Sequence, residues 1–254
     1  MDGVEQAFLE IREAARQNED IQGFVLTGSR GKGFENAWSD YDFALFVSDE
    51  ALEKYQEQYR DLPSGAHLYL FTLDSFRERA AWGSPMEWER YTWARLSVDF
   101  DRTGGLIQQL LDEKGTVPAE HTQAHIRYSL NWFLNQVYHS IKCLRVQDRV
   151  AHRLEAAEAT RPFLQALFAT HERRLVPYYK YLRWELEHYP LHKLSLTVDE
   201  LLNTLEQLLS EDSHRAQQKL LAEAQRLFSA EGFVDLFAQY RARFVLGYPT
   251  SVEE

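Results

Sequence analysis

Two aspartates, Asp40 and Asp42, stand two positions apart at the head of the apolar run FALFV, residues 43–47. On an extended chain residues i and i+2 face the same side, so both carboxylates project together and Tyr41 projects opposite. Like charges held that close repel, and a hard divalent cation offsets the repulsion. Magnesium takes oxygen ligands in an octahedral shell, commonly one or two carboxylates together with phosphate oxygens. Upstream, a second apolar run, FVL, ends at Thr27, Gly28 and Ser29. Glycine permits a tight backbone whose N–H groups converge on an anion, the serine hydroxyl adds a donor, and a helix start there adds its dipole. Each pair alone has a plainer reading. Gly-Ser is a common turn, and an isolated Asp-x-Asp is commonly a solvated strand entrance.

The elements that must position these residues follow from periodicity. Val4, Ala7, Phe8, Ile11, Ala14 and Ala15 make a helical stripe over 4–17. Residues 21–27 read as a short buried strand, 29–39 as a polar Gly-rich connection, and 41–47 as a second strand. A helical stretch over 51–59 precedes a third strand at 67–73, HLYLFTL. Residues 74–93 read as mostly helical with a break near Gly83-Ser84-Pro85, 96–100 as a fourth strand, and 106–113 as a short helix after the turn DRTGG. From residue 121 onward only helical stripes recur, first along Ile126, Leu130, Phe133, Leu134, Val137, Ile141 and Leu144, then around 150–170, 175–187, 198–210, 213–229 and 231–244. Pro162 suits a helix start. The expected fold is α+β: a mixed sheet with flanking helices over 1–118, then an all-helical domain over 119–254.

Composition narrows the function class. The net charge of −11 speaks against a broad nucleic-acid surface, which needs a basic face to meet phosphates. It leaves room for a local basic pocket and attracts cationic partners at long range. No apolar run approaches the length of a membrane span, and the acidic, amphipathic start MDGVEQAFLEIREAARQ is unlike a signal peptide. The single cysteine, Cys143, excludes an intramolecular disulfide and fits a reducing compartment, so a cytoplasmic protein is expected.

The combination of strand, Gly-Ser, connection, Ser-Asp-x-Asp and strand is more specific than its parts. TGSR (27–30) followed by SDYDFALFVSD (39–49) closely resembles the signature of the nucleotidyltransferase superfamily with the DNA polymerase β-like palm. Within it the sequence is most like the aminoglycoside 6-adenylyltransferase type. LYLFTLDSF (68–76), VDFDRTGGL (98–106) and LVPYYKYLRWEL (175–186) extend the likeness over most of 21–187. The resemblance implies an N-terminal nucleotidyltransferase domain and a helical domain that covers substrate and nucleotide, with the cleft between them. It implies ATP as substrate, Gly28 and Ser29 at the distal phosphates, and Asp40 and Asp42 holding Mg2+. Arg30, Ser39, Tyr179 and Lys180 join the nucleotide-binding set, Lys180 over the triphosphate. The acceptor that the resemblance implies is a small hydroxylated molecule, an aminoglycoside first. Without the resemblance Lys180 reads as a solvated helix lysine and Arg30 as a loop cation.

The sequence departs from the family in one place. A third carboxylate is expected on the strand after Asp-x-Asp, and the position falls at or near His67, with no acid inside that strand. Three explanations compete: His67 serves as the base, an acid reaches in from elsewhere, or the protein binds nucleotide without transferring it. Alternation in LSVDFD places Ser97, Asp99 and Asp101 on one face. Asp99 is the first candidate acid, Glu87 and Glu89 come next, and Asp101 reads as a turn former. A nucleotidyltransferase that modifies a protein or a tRNA is a further alternative, and the tRNA version needs a basic track that the sequence offers only in scattered clusters such as HERR (171–174).

Overall fold

The computed structural model describes residues 3–210 and 213–245, with side chains through residue 240. The chain divides into two compact units, Met1–Pro118 and Ala119–Glu254. It is α+β: a mixed four-stranded sheet with helices on both faces makes the first unit, and the elements of the second are helical among the described residues.

In the first unit, α1 (Gly3–Gln17) leads to β1 (Ile21–Leu26), a one-turn helix α2 (Gly28–Gly31) and β2 (Tyr41–Val47). Then come α3 (Leu52–Gln58), β3 (Ala66–Phe71), α4 (Leu73–Glu78), α5 (Arg90–Trp93), β4 (Phe100–Asp101) and α6 (Leu106–Lys114). The sheet order is β3-β2-β1-β4, with β2 and β3 parallel and both partners of β1 antiparallel.

Alternation along the strands splits the apolar side chains into two cores. Phe24, Phe43, Leu45 and Val47 face α1 and α3, meeting Phe8, Ile11, Ala15 and Tyr55. Val25, Ala44, Phe46 and Phe71 face α4 to α6, meeting Phe76, Trp93, Ile107 and Leu111. Trp93 stands edge-on to Phe76 at 5.0 Å and to Phe71 at 5.5 Å between ring centres, the geometry that aromatic quadrupoles favour.

The fourth strand is shorter than its residue types suggest. Only Phe100–Asp101 pairs regularly, and 96–99 runs irregularly. Strict alternation fails there, because Val98 packs with the second core and Phe100 with the first. Residues 74–93 are likewise broken into α4, a 3-10 turn at Glu87–Glu89 and α5.

The second unit is built on α7 (Thr122–Arg145), against which α8 (Arg149–Glu158) and α9 (Thr160–Ala169) pack. The helical stretch expected over 150–170, with a helix start near Pro162, is α8 followed by α9. Pro162 lacks the N–H that would continue the ladder, and it sits in the first turn of α9, where that donor has no intrahelical partner anyway. Over 175–187 the chain makes a 3-10 turn at Tyr179–Tyr181 before α10 (Leu182–His188). α11 (Val198–Gln207), α12 (Ser213–Ala230) and α13 (Val234–Val245) complete the unit. Among the described residues no helix is long and apolar enough to cross a membrane.

Two buried cations tie loops of the first unit to α6. Arg90 donates to the carbonyls of Ala80, Glu113 and Thr116, and Lys114 donates to those of Arg77 and Arg79 above the ring of Phe76. Burial, helped by the charge of Arg90, pushes the Lys114 ammonium down to about 8. The unfolded chain therefore binds more protons than the folded one between pH 8 and the ordinary lysine range, and stability rises with pH across that window. Relative to Lys114→Met, the wild-type protein should gain about 1 kcal/mol of unfolding free energy between pH 7 and pH 9. Urea titrations of both proteins at the two pH values measure the difference, and a flat or falling difference contradicts the assignment.

Candidate metal centre

Strand register assembles the site. β2 and β3 run parallel with Asp42 directly beside His67, so the two side chains project to the same face. Asp40, two residues back from Asp42, shares that face. One ligand-capable atom from each of Asp40, Asp42 and His67 lies within 4.8 Å of the others. The His67 Nδ1 is 3.5 Å from the Asp42 Oδ1, with the Asp42 side chain 20% exposed and the imidazole 58% exposed. Further along, the same face carries Ala44, Phe46, Tyr69 and Phe71 of the second core. The polar trio thus stands at the open end of a packed apolar surface.

β1 closes another side. The Thr27 N–H donates to the Asp42 carbonyl at 2.7 Å, and Gly28 follows with φ +62°. A Cβ at Gly28 would stand 2.3 Å from the Asp42 Oδ2 and 3.1 Å from its Cγ. Glycine is needed here twice over, for the left-handed backbone and for the space the carboxylate fills.

The loop carrying Asp40 is fixed from beneath. The Ser29 hydroxyl donates to the Ser39 hydroxyl at 2.9 Å, and Ser39 Oγ accepts from the Asn36 N–H at 2.9 Å. Arg30 donates through Nε to the Asp40 carbonyl (3.1 Å) and through Nη2 to the Ser39 carbonyl (2.9 Å), with its guanidinium 3.9 Å over the Tyr41 ring. Here Arg30 positions the backbone that presents Asp40. The helix after Gly28 is a single turn, so the dipole expected of a helix start is small. Lys32 turns inward, donating to the Ala94 carbonyl with its Nζ 4.7 Å over the Tyr91 ring.

Asp99 is placed elsewhere. Arg12 grips it through Nε (2.9 Å) and Nη2 (2.5 Å), and Arg16 adds Nη2 at 2.9 Å. Both arginines come from one face of α1, four residues apart, and hold Asp99 toward that helix, apart from the Asp40–Asp42–His67 group. The two glutamates are committed too: Glu87 accepts the Gly83 N–H at 2.6 Å, and Glu89 pairs with Arg79 at 2.8 Å. Asp101 accepts from the N–H groups of Thr103 (2.7 Å) and Ile107 (3.1 Å), as a turn former does. The structure thus joins Asp40, Asp42 and His67 beside Gly28, with Ser29, Arg30 and Ser39 supporting the loop. Tyr179 and Lys180 belong to the second unit, exposed in their 3-10 turn, with the Lys180 Nζ 4.9 Å over the Tyr181 ring. One residue the spacing did not suggest is Trp38, two positions before Asp40, whose side chain is 95% exposed although its own N–H is tied to the Asn36 side chain at 2.8 Å.

Two carboxylates and an imidazole converging at a strand end, with a neighbouring residue stripped to glycine, fit a divalent cation by donor type and by space. A cavity of about 250 Å³ lies at the other end of β2, lined by Gln22, Val47, Asp49, Thr72 and Arg77 among others, and does not include the trio.

No protein-family model matches the chain, and a search of curated proteins finds no match. Among solved structures, a nucleotidyltransferase-like protein from Exiguobacterium sibiricum 255-15 is similar to this chain at 12% identity and a TM-score of 0.39, over 95% of this chain and 88% of that one.

Two substitutions separate the roles. The Arg12 hydrogen bond, with Arg16 beside it, holds the Asp99 carboxyl below its ordinary range. Its contribution is therefore present above the unfolded value near 3.8 and is lost as pH falls through the depressed folded value. Asp99→Asn should cost about 1–2 kcal/mol of stability at pH 7, a deficit that closes in strong acid, while metal binding stays at the wild-type level. Gly28→Ala should do the reverse in emphasis, weakening divalent-ion binding by about tenfold or more because the new Cβ displaces the Asp42 carboxylate. Thermal melts and Mn2+ titrations of both variants check the pair, and a loss of metal binding in Asp99→Asn would return Asp99 to the site.

Proposed function

We propose that this protein is a nucleotidyltransferase that moves AMP from ATP to a hydroxyl of a small acceptor, with Mg2+ as the ion first expected. The observation that carries the reading is the convergence of Asp40, Asp42 and His67 beside Gly28, at the motif TGSR…SDYD. A divalent ion bound there would neutralise phosphate charge and orient the triphosphate for in-line displacement. The acceptor oxygen would form a bond to the α-phosphorus as its hydroxyl proton passes to solvent, the bond from the α-phosphorus to the α,β-bridging oxygen would break, and pyrophosphate would leave with that oxygen. Asp40 and Asp42 supply carboxylate oxygens to the ion. Gly28 keeps the Asp42 carboxylate in place, and Arg30 keeps the Asp40 backbone in place. Ser29 and Ser39 place two hydroxyls beside the site for phosphate oxygens. The exposed indole of Trp38 offers a stacking face for a planar ring. Lys180 is assigned to the triphosphate from resemblance alone, and Tyr179 to the nucleotide, with Tyr178 its alternative, as an aromatic neighbour of Lys180.

An aminoglycoside suits the acceptor role because a net charge of −11 draws polycations. A second reading, nucleotide binding without transfer, has its own supporting observation: an imidazole stands where the resemblance calls for a carboxylate.

Pyrophosphate release from ATP, with each divalent ion in turn and with and without a panel of aminoglycosides, is the test. The expected outcome is acceptor-dependent release that falls by about 10³-fold or more in Asp42→Asn and by about 10-fold in Lys180→Ala. Nucleotide binding by calorimetry with no release for any acceptor supports the second reading. Release that survives Asp42→Asn at the wild-type rate removes the first.

A further inference from the structure

We infer that His67 is a ligand of the ion held by Asp40 and Asp42, through its Nδ1, and that this nitrogen shifts the centre toward a first-row transition ion such as Mn2+ and away from Mg2+. The inference rests on the metal-dependent reading above and specifies its cofactor.

The backbone makes the placement. Parallel register fixes His67 beside Asp42, and no slip short of two residues would return a side chain to that face. The Nδ1-to-Oδ1 separation of 3.5 Å is longer than a hydrogen bond. It is close to the spacing of about 3 Å between neighbouring donors on one ion with bonds of about 2.1 Å at right angles. Among the described residues the His67 side chain makes no hydrogen bond, so its ring is not committed elsewhere. Its exposure leaves the rest of an ion's shell open to water and substrate oxygens.

Donor chemistry makes the selectivity. Mg2+ prefers a shell of oxygens and gives up water reluctantly, whereas imidazole nitrogen suits first-row transition ions such as Zn2+, Fe2+ and Ni2+; Mn2+, at the low end of that series, is the paramagnetic probe of the same preference. Any carboxylate site binds those ions more tightly than Mg2+, so the meaningful quantity is the ratio of affinities compared between His67 and an acid at the same place. The inference also gives His67 a different duty from proton acceptor, since a nitrogen bound to the ion has no free lone pair.

The full chain loaded with Mn2+ and examined by pulsed electron paramagnetic resonance should show coupling to an imidazole nitrogen. That coupling should vanish in His67→Asp while Mn2+ remains bound. The Mg2+ concentration that displaces half of the Mn2+ should fall by about tenfold in His67→Asp. His67 is exposed at the start of an otherwise intact strand, and circular dichroism checks that the variant folds. Mn2+ bound in the wild type without nitrogen coupling, or an equal Mn2+/Mg2+ ratio in both proteins, overturns the inference and leaves the centre standing. Mn2+ binding undiminished in Asp42→Asn removes the centre itself, and this inference with it.

Discussion

The repulsion between Asp40 and Asp42 is the constraint around which the first unit is arranged. Carboxylates this close repel by on the order of 1–4 kcal/mol, between the limits of bulk water and a partly shielded surface. The chain leaves neither of them free to swing far apart. Asp42 is inside β2, with its carbonyl taken by the Thr27 N–H, and Tyr41 donates its N–H to the Gly65 carbonyl at 2.8 Å. Arg30 grips the Asp40 and Ser39 carbonyls. Backbone hydrogen bonds and one buried-edge guanidinium thus oppose a side-chain repulsion, and a bound cation would offset it. No change of register would relieve it, because Asp40 and Asp42 are two apart on the same chain and a one-residue slip would carry the apolar side chains of β2 to the wrong faces.

The two-faced sheet explains why the acids separate as they do. β2 and β3 alternate between the α1/α3 core and the α4–α6 core, so each polar residue on them inherits a face from its neighbours. Asp42 and His67 share the face of Ala44 and Phe46. Asp99 lies on the irregular chain before β4, where alternation has lapsed, and α1 claims it with two arginines. The Arg12–Arg16–Asp99 fork joins the second half of the first helix to the chain just before the last strand, which are far apart in sequence, and so it stabilises the fold that the site depends on.

What could be read from the sequence was local. Gly28, Asp40 and Asp42 were legible because period-two spacing and a Gly-Ser junction are properties of a few adjacent residues. The position of His67 was legible as an exception to a pattern, since the strand HLYLFTL is regular enough to be aligned. The loss of Asp99 to α1 was not, because it turns on pairing between residues 87 positions apart and on a strand that ends after two residues. The duty of Arg30 was hidden for a related reason. A loop arginine carries no mark in sequence to show whether it faces a ligand or folds back on its own backbone. Lys32 is the same case, an ordinary-looking loop cation that proves to be buried. The signal for Arg12 and Arg16 was present, as two cations four apart on one helix face, but nothing in the sequence named their partner.

Charge balance gives the histidine a rationale beyond donor type. Asp40 and Asp42 carry two negative charges, which one divalent ion neutralises. A third carboxylate would leave the loaded centre negative, opposing the approach of a triphosphate or inviting a second cation to complete the neutralisation. An imidazole nitrogen that donates to the ion adds a ligand without adding a charge, so the two carboxylates and one divalent ion would carry no net charge against an anionic substrate. Under the proposed function, a histidine rather than a carboxylate at position 67 would lower the number of ions needed before an anionic substrate binds, with the strand, the register and the two aspartates as they are.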